Sequence, residues 1–85
     1  MGSKRFDGVR FFAYSDDHLP LHVHGFYAEV EVLIDLLIAE RAVRLSDRDN
    51  NPWPQNAKRS DVNHVRRVAR KHFDELVTLW EAAQP

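Results

Sequence analysis

Apolar and polar positions alternate along the first half of the chain with a period of two. Residues 8–14 (GVRFFAY) are aromatic and β-branched and are bounded by turn-forming residues, a pattern that predicts a strand. Residues 22–35 continue the alternation and predict a second, half-buried strand that is kinked or bulged at Gly25. Residues 36–45 fit either a third strand or a short helix, and we favour the strand.

The second half of the chain predicts a loop followed by one long helix. Residues 47–59 are rich in proline, asparagine and aspartate and predict the loop. In residues 60–83, apolar side chains recur at spacings of three and four, which predicts an amphipathic helix with Ser60 as its N-cap. The expected fold is therefore α+β and forms one domain over residues 1–85. In this fold the long C-terminal helix covers one face of a small antiparallel sheet of about three strands.

The composition is that of a small globular domain. The 85 residues are 44% hydrophobic and 29% charged, and they include no cysteine. The absence of cysteine excludes a disulfide-stapled secreted scaffold and a thiolate zinc site. No apolar run is long enough to cross a membrane, and no apolar secretion signal follows the N-terminus. We therefore expect a cytoplasmic protein without a membrane partner.

The charges point to a basic face on the helix. A net charge of −1 argues against strong nucleic-acid binding by the whole surface. Five basic side chains nevertheless lie in or just before the first half of the predicted helix: Arg59, Arg66, Arg67, Arg70 and Lys71. Together with Trp53 they are candidates to contact a protein partner or a nucleic acid. For Trp53 we favour the alternative that its ring packs against the sheet and caps the core.

Four histidines are candidates for a shared site: His18, His22, His24 and His72. His22 and His24 share a strand face because they are two residues apart, and His72 falls in the apolar stripe of the helix. If the alternation is unbroken, the histidine face of the strand is the one that the helix covers. Imidazole is the commonest protein ligand for zinc, so these histidines would hold a divalent transition metal such as zinc.

The same histidines have two interpretations that need no metal. His22 and His24 would act as a general acid and base, since the pKa of imidazole lies close to neutral pH. Alternatively, the imidazoles hydrogen-bond to the backbone and hold a turn around Pro20 in place. The residue types and their spacing do not decide between these interpretations, and they leave the cofactor open.

The order of these features resembles a small bacterial family. The matching residues are Arg10-Phe11-Phe12-Ala13-Tyr14-Ser15 and Asp17-His18-Leu19-Pro20-Leu21-His22-Val23-His24, with His72 and Trp80 in the final helix. They are similar, over nearly the whole chain, to the family called domain of unknown function 4160. The resemblance implies a compact α+β protein of a two-gene toxin–antitoxin-type module, and it brings no established reaction. The chain departs from the family in having Leu21 where a second proline is frequent, and in its long loop at residues 47–58.

Three functions are compatible with these features. We favour an interaction module of toxin–antitoxin type that binds a protein partner. The first alternative is a nuclease or other phosphodiester hydrolase in which His22 and His24 are catalytic, with or without a metal. The second alternative is a DNA-binding regulator that contacts phosphates through Arg66, Arg67 and Arg70. The sequence indicates neither the oligomeric state nor the identity of the partner.

Overall fold

The computed structural model describes residues 2–14 and 21–84, and it confirms the α+β class. The elements are β1 (Gly2–Phe6), β2 (Val9–Ala13), β3 (His22–Tyr27), β4 (Val30–Leu37), β5 (Ala42–Leu45), α1 (Arg59–Lys71) and α2 (Phe73–Ala83). The strands form one antiparallel sheet in the order β1-β2-β3-β4-β5. The described residues thus contain five strands and two helices, where the sequence predicted about three strands and one helix.

The first additional strand is β1, which a two-residue turn joins to β2. Phe6 pairs with Val9 across this turn, and Asp7 and Gly8 both have positive φ, at 50° and 83°. Such a turn matches the right-handed twist of a hairpin, and Asp-Gly is among its preferred sequences. The strand itself carries no apolar alternation, and for that reason the sequence pattern did not indicate it.

The predicted strand over residues 22–35 is a hairpin of β3 and β4, so this prediction is wrong. Ala28 and Glu29 form its turn, with Ala28 at φ 53°, and Tyr27 pairs with Val30. Cross-strand partners point to the same face of a sheet. Odd-numbered residues of β3 therefore share a face with even-numbered residues of β4. An alternation that is read straight through the turn instead assigns the even-numbered residues of both strands to one face, which is incorrect.

The ambiguous residues 36–45 contain the end of β4, a turn and β5. The turn includes Arg41, which has φ 51° and whose backbone N–H donates to the carbonyl of Ile38 at 3.2 Å. The preference for strand over helix is therefore correct for residues 36–37 and 42–45.

Both helices pack on one face of the sheet and close the core. The buried apolar residues are Val9, Phe11, Ala13, Val23, Val30, Val32, Ile34, Leu36, Val62, Val65, Val68, Ala69, Phe73, Leu76, Leu79 and Ala83. Gly25 lies on this face in regular pairing with Phe11 and Val32, so the predicted kink or bulge is absent there. A Cβ atom on Gly25 would lie 2.7 Å from Cγ1 of Val65, and glycine thus permits the close approach of α1.

The predicted long helix is divided at His72. This residue has φ −110° and ψ 33°, outside the helical range, and it separates α1 from α2. Helical hydrogen bonds continue across the break, from His72 N–H to the carbonyl of Val68 and from Leu76 N–H to the carbonyl of His72, both at 3.0 Å. The first helix begins at Arg59, so Ser60 is not its N-cap.

Neither helix has the length and apolar content that a membrane crossing requires, within the part of the chain that the structure describes.

Candidate functional site

The second face of the sheet carries no helix among the described residues. We name it the helix-free face and define it by ten residues: Arg5, Arg10, Phe12, Tyr14, His22, His24, Phe26, Glu31, Asp35 and Trp53. Their assignment to one face follows from the strand register, because paired residues and residues two apart point the same way. The face is accessible at the arginines and at Trp53 and buried at His22 and Asp35.

Five of these residues form one row that crosses β1 to β4 and ends in the loop after β5. Arg5 pairs with Arg10, Arg10 with Phe26, Phe26 with Glu31, and Glu31 with Trp53. With neighbouring strands about 4.8 Å apart, this cross-strand row spans roughly 19 Å. It begins with two cations, continues through an aromatic ring and a carboxylate, and ends with a second aromatic ring.

Trp53 joins the sheet through its backbone and leaves its ring exposed. Its N–H donates to the carbonyl of Glu31 at 2.9 Å, and the N–H of Glu31 donates to the carbonyl of Trp53 at 2.7 Å. The residue is 57% exposed, so the prediction that the ring packs against the sheet to cap the core is wrong. The loop backbone, rather than the indole, extends the sheet at β4.

The side-chain amide of Asn51 fixes this loop to β4. Its Oδ1 accepts from the N–H of Leu33 at 2.8 Å, and its Nδ2 donates to the carbonyls of Leu33 at 3.1 Å and Ser46 at 2.7 Å. One amide thus pairs with three backbone groups beyond the end of β5, and the carbonyl of Leu33 also accepts from the N–H of Ser46 at 3.0 Å. The loop that carries Trp53 is held at two points, Asn51 and Trp53 itself.

The aromatic side chains of the helix-free face form a contiguous group beside the arginines. Phe12 meets Phe26 edge-on, with ring centroids 5.4 Å apart, and lies parallel to Tyr14 at 6.2 Å. These three rings, with Arg5 and Arg10, line an open depression of about 510 Å³. All three aromatic residues are only partly buried.

His22 and His24 lie side by side at the buried end of the helix-free face. Their ring centroids are 5.4 Å apart, and the rings of Tyr14 and His24 meet nearly at right angles, with centroids 4.8 Å apart. His24 Nδ1 is 3.3 Å from Oε2 of Glu31, within hydrogen-bond distance. The prediction that the helix covers the histidine face is wrong. After the two-residue turn at 28–29, the even-numbered residues of β4 lie on the helix-covered face, whereas the even-numbered histidines of β3 lie on the opposite face.

A buried carboxylate lies directly across the sheet from His22. Asp35 is 2% exposed, and its Oδ2 accepts from Nη2 of Arg44 at 3.0 Å and from Nε at 3.3 Å. His22 is itself 1% exposed. His24 is the more accessible of the two histidines, since its side chain retains 16% exposure.

The structure does not bring His72 together with His22 and His24. Its ring stacks on Phe6, with centroids 4.1 Å apart and planes 13° apart, on the helix side of the sheet. Its Nδ1 is 3.0 Å from Oε2 of Glu75, and its Nε2 is 3.7 Å from Oδ2 of Asp7. The hydrogen bond to His72 lowers the pKa of Glu75.

The predicted metal site therefore loses one of its four ligands. His18 lies outside the described residues. Across residues 2–14 and 21–84, no group of three histidine, aspartate or glutamate side chains is arranged to hold a metal ion. Metal binding that involves His18, His22 and His24 stays a prediction, and so does the catalytic role of His22 and His24.

The basic residues of α1 lie away from the cross-strand row. Arg59, Arg66, Arg67, Arg70 and Lys71 are all exposed, on a helix that packs against the other face of the sheet. Nη2 of Arg66 donates to Oδ1 of Asn63 at 3.3 Å, and Nζ of Lys71 donates to Oδ2 of Asp7 at 3.4 Å. The structure does not join Trp53 to this basic face, and the partner or nucleic-acid role of these residues stays a prediction.

Sequence reasoning missed the cationic end of the row. Arg5 lies on the strand that the sequence pattern does not indicate, and Arg10 is not among the candidate site residues. The Asp7-Gly8 dipeptide was the available signal, because it favours a tight hairpin turn and would have placed the two arginines opposite one another.

Comparison with known proteins gives one match. No match to this chain was found among curated proteins or among solved structures. One family model, described as a domain of unknown function (DUF4160), matches residues 8–81. The match includes every strand except β1 and all but the end of α2. The chain therefore belongs to the DUF4160 family.

Proposed function

We propose that this chain is a small cytoplasmic interaction module of toxin–antitoxin type that binds a protein partner through its helix-free face. The toxin–antitoxin type follows from the family resemblance. The observation that supports partner binding is the exposed Trp53, which two backbone hydrogen bonds hold at the end of a row of aromatic and charged side chains.

The composition of the helix-free face is typical of an interface. Tryptophan, tyrosine and arginine are the residues whose truncation most often weakens protein complexes. Trp53, Tyr14 and the two arginines of the row bring all three types to this face. Since the loop of Trp53 is already fixed by Asn51, binding would order little additional backbone, which favours affinity.

A capture experiment with matched variants tests this proposal. The full chain is immobilised and exposed to a lysate of its natural host, in parallel with Trp53→Ala and Phe12→Ala. The double variant Arg66→Ala/Arg67→Ala, on the exposed side of α1, is the control. We expect a partner that the wild type and the control retain and that both face variants lose, with all proteins folded by circular dichroism.

The opposite pattern would reject the proposal. A partner that is retained by both face variants, or lost only by the helix control, would place the interface elsewhere. Loss by every variant, with folding intact, would also exclude a binding site confined to the helix-free face.

A phosphodiester hydrolase is the second candidate, and one contact favours it. His24 lies within hydrogen-bond distance of Glu31, and a carboxylate that orients an imidazole is a common arrangement for proton transfer. If this function is correct, His24→Ala abolishes cleavage of single-stranded RNA, while His64→Ala retains it. Equal cleavage by both variants, or none by the wild type, would end this candidacy.

A further inference from the structure

We infer that the helix-free face recognises an acidic peptide segment of the partner, with a carboxylate seated between Arg5 and Arg10. The inference rests on the proposed function, because it names the chemistry of the segment that the face would bind. Three observations support it: the charge of the arginine pair, the depression beside the pair, and the carboxylate farther along the row.

The arginine pair lacks a counter-charge within the described residues. Arg5 and Arg10 are directly opposite one another on β1 and β2, and both are exposed. No acidic side chain in residues 2–14 and 21–84 forms an ion pair with either of them. Like charges that face each other across two strands are destabilising, and a bound carboxylate would relieve this repulsion. Each guanidinium can hold a carboxylate through two parallel hydrogen bonds.

The depression beside the pair suits an apolar side chain next to that carboxylate. Its volume is about 510 Å³, and its walls include Phe12 and Phe26 in addition to the arginines. An apolar side chain that enters it would contact both rings while the neighbouring carboxylate stays at the guanidinium groups. The face thus selects an acidic residue with an aliphatic or aromatic neighbour.

The carboxylate of Glu31 argues against a nucleic acid as the occupant. It lies two strands beyond Arg10 in the row, and its side chain is 32% exposed. A phosphate backbone that followed the row would leave the arginines and meet this negative charge. A peptide that carries its acidic residue only at the arginine end avoids the repulsion, and its remainder can extend about 14 Å, three strand spacings, from Arg10 to Trp53.

A displayed library of random dodecapeptides, selected on the immobilised full chain, supplies the probes. Selected peptides are synthesised, and their Kd values are measured by fluorescence anisotropy. We expect aspartate or glutamate beside an apolar residue in the selected sequences. Arg5→Gln/Arg10→Gln should weaken their binding by about tenfold or more, since two charge-assisted bonds are lost. Arg5→Lys/Arg10→Lys should restore part of the affinity, and Lys4→Gln/Lys58→Gln, at two exposed lysines outside the helix-free face, should leave it unchanged.

Each contrary result has a separate meaning. Equal binding to the wild type and to Arg5→Gln/Arg10→Gln would overturn the acidic assignment, and loss of binding in Trp53→Ala would then show that the proposed function survives. Peptides that bind Arg5→Gln/Arg10→Gln and Trp53→Ala as tightly as the wild type would overturn both the acidic assignment and the proposed function. Failure to select any peptide would overturn the inference. The inference would also be overturned if the oligonucleotide dT12 bound more tightly than the selected peptides and lost its binding in Arg5→Gln/Arg10→Gln, because the ligand would then be a nucleic acid.

Discussion

Glu31 and Trp53 exchange two backbone hydrogen bonds, at 2.7 and 2.9 Å, and so place an exposed indole at the edge of the sheet. The relationship joins residues of β4 to a loop 22 positions later in the chain. Because the N-terminal half of β4 has no β5 residue beside it, the loop completes the ladder there. An apparently irregular segment thereby becomes a fixed part of the helix-free face.

Removal of the amide at Asn51 should loosen this arrangement. Asn51→Ala removes the side-chain partner of the Leu33 N–H and of the Ser46 carbonyl, while the Leu33 carbonyl keeps the N–H of Ser46, and unmade bonds of this kind cost about 1–3 kcal/mol. Urea unfolding should show that loss, and partner capture should fall as the loop becomes mobile. Asn56→Ala, at an exposed position that makes no side-chain hydrogen bond among the described residues, is the control. Equal stability of the two variants would contradict the role given to Asn51.

A methyl group at Gly25 should destabilise the fold. Exchange of glycine for alanine in a strand usually stabilises a protein by restricting the unfolded chain. Here the new Cβ would meet Val65 at 2.7 Å and Phe11 at 3.1 Å, and such overpacking costs about 1–3 kcal/mol. We expect Gly25→Ala to lower the free energy of unfolding in urea, while Ser3→Ala on exposed β1 changes it little. A gain of stability in Gly25→Ala would show that α1 is not held as close to the sheet as the structure indicates.

The contact of Glu75 with His72 should make stability depend on pH in a defined direction. The folded-state pKa of Glu75 lies below its usual value of 4.5, mainly because His72 donates a hydrogen bond to it. The stabilisation is therefore fully present above pH 4.5 and is lost as pH falls through the lowered folded-state pKa. Glu75→Gln should melt below the wild type at pH 6 and approach it at acidic pH. Glu81→Gln, at an exposed residue without an ion pair in the described chain, controls for the general loss of charge, and a difference that is constant with pH would reject this account.

The C-terminal helix and the strand over residues 9–13 were predictable because their patterns are local. The apolar stripe that includes Val62, Val65 and Leu76 indicates the buried side of each helix, and this inference does not depend on the structure of the sheet. The break at His72 was not predictable, since the stripe continues through it and the helical hydrogen bonds are kept. The α+β class follows from these local patterns alone.

The assignment of faces failed for a physical reason. A two-residue turn exchanges even and odd positions between the strands that it joins, and Ala28 and Glu29 are not residues that commonly mark such a turn. Without the turn, the sequence placed His22 and His24 under the helix. Because of the turn with positive φ at Ala28, both histidines lie on the face opposite to the predicted one and away from His72.

Local patterns in the sequence do not indicate the cross-strand row. Its members, Arg5, Arg10, Phe26, Glu31 and Trp53, come from five separate segments, and only the register of the sheet aligns them. The sequence predicts Trp53 as a candidate contact in a proline-rich loop. Its exposure could not be anticipated, because large aromatic side chains are usually buried.

The most direct test of the helix-free face as the partner site is the affinity of the captured partner for Trp53→Ala. Isothermal titration should give a Kd that is weaker than that of the wild type by about tenfold or more, as expected for a tryptophan that anchors an interface. Arg67→Ala, on the exposed side of α1, should bind within about twofold of the wild type, because surface substitutions outside an interface change the binding free energy little. If Trp53→Ala left the Kd unchanged and Arg67→Ala raised it, the result would contradict the account and place the interface on the helices.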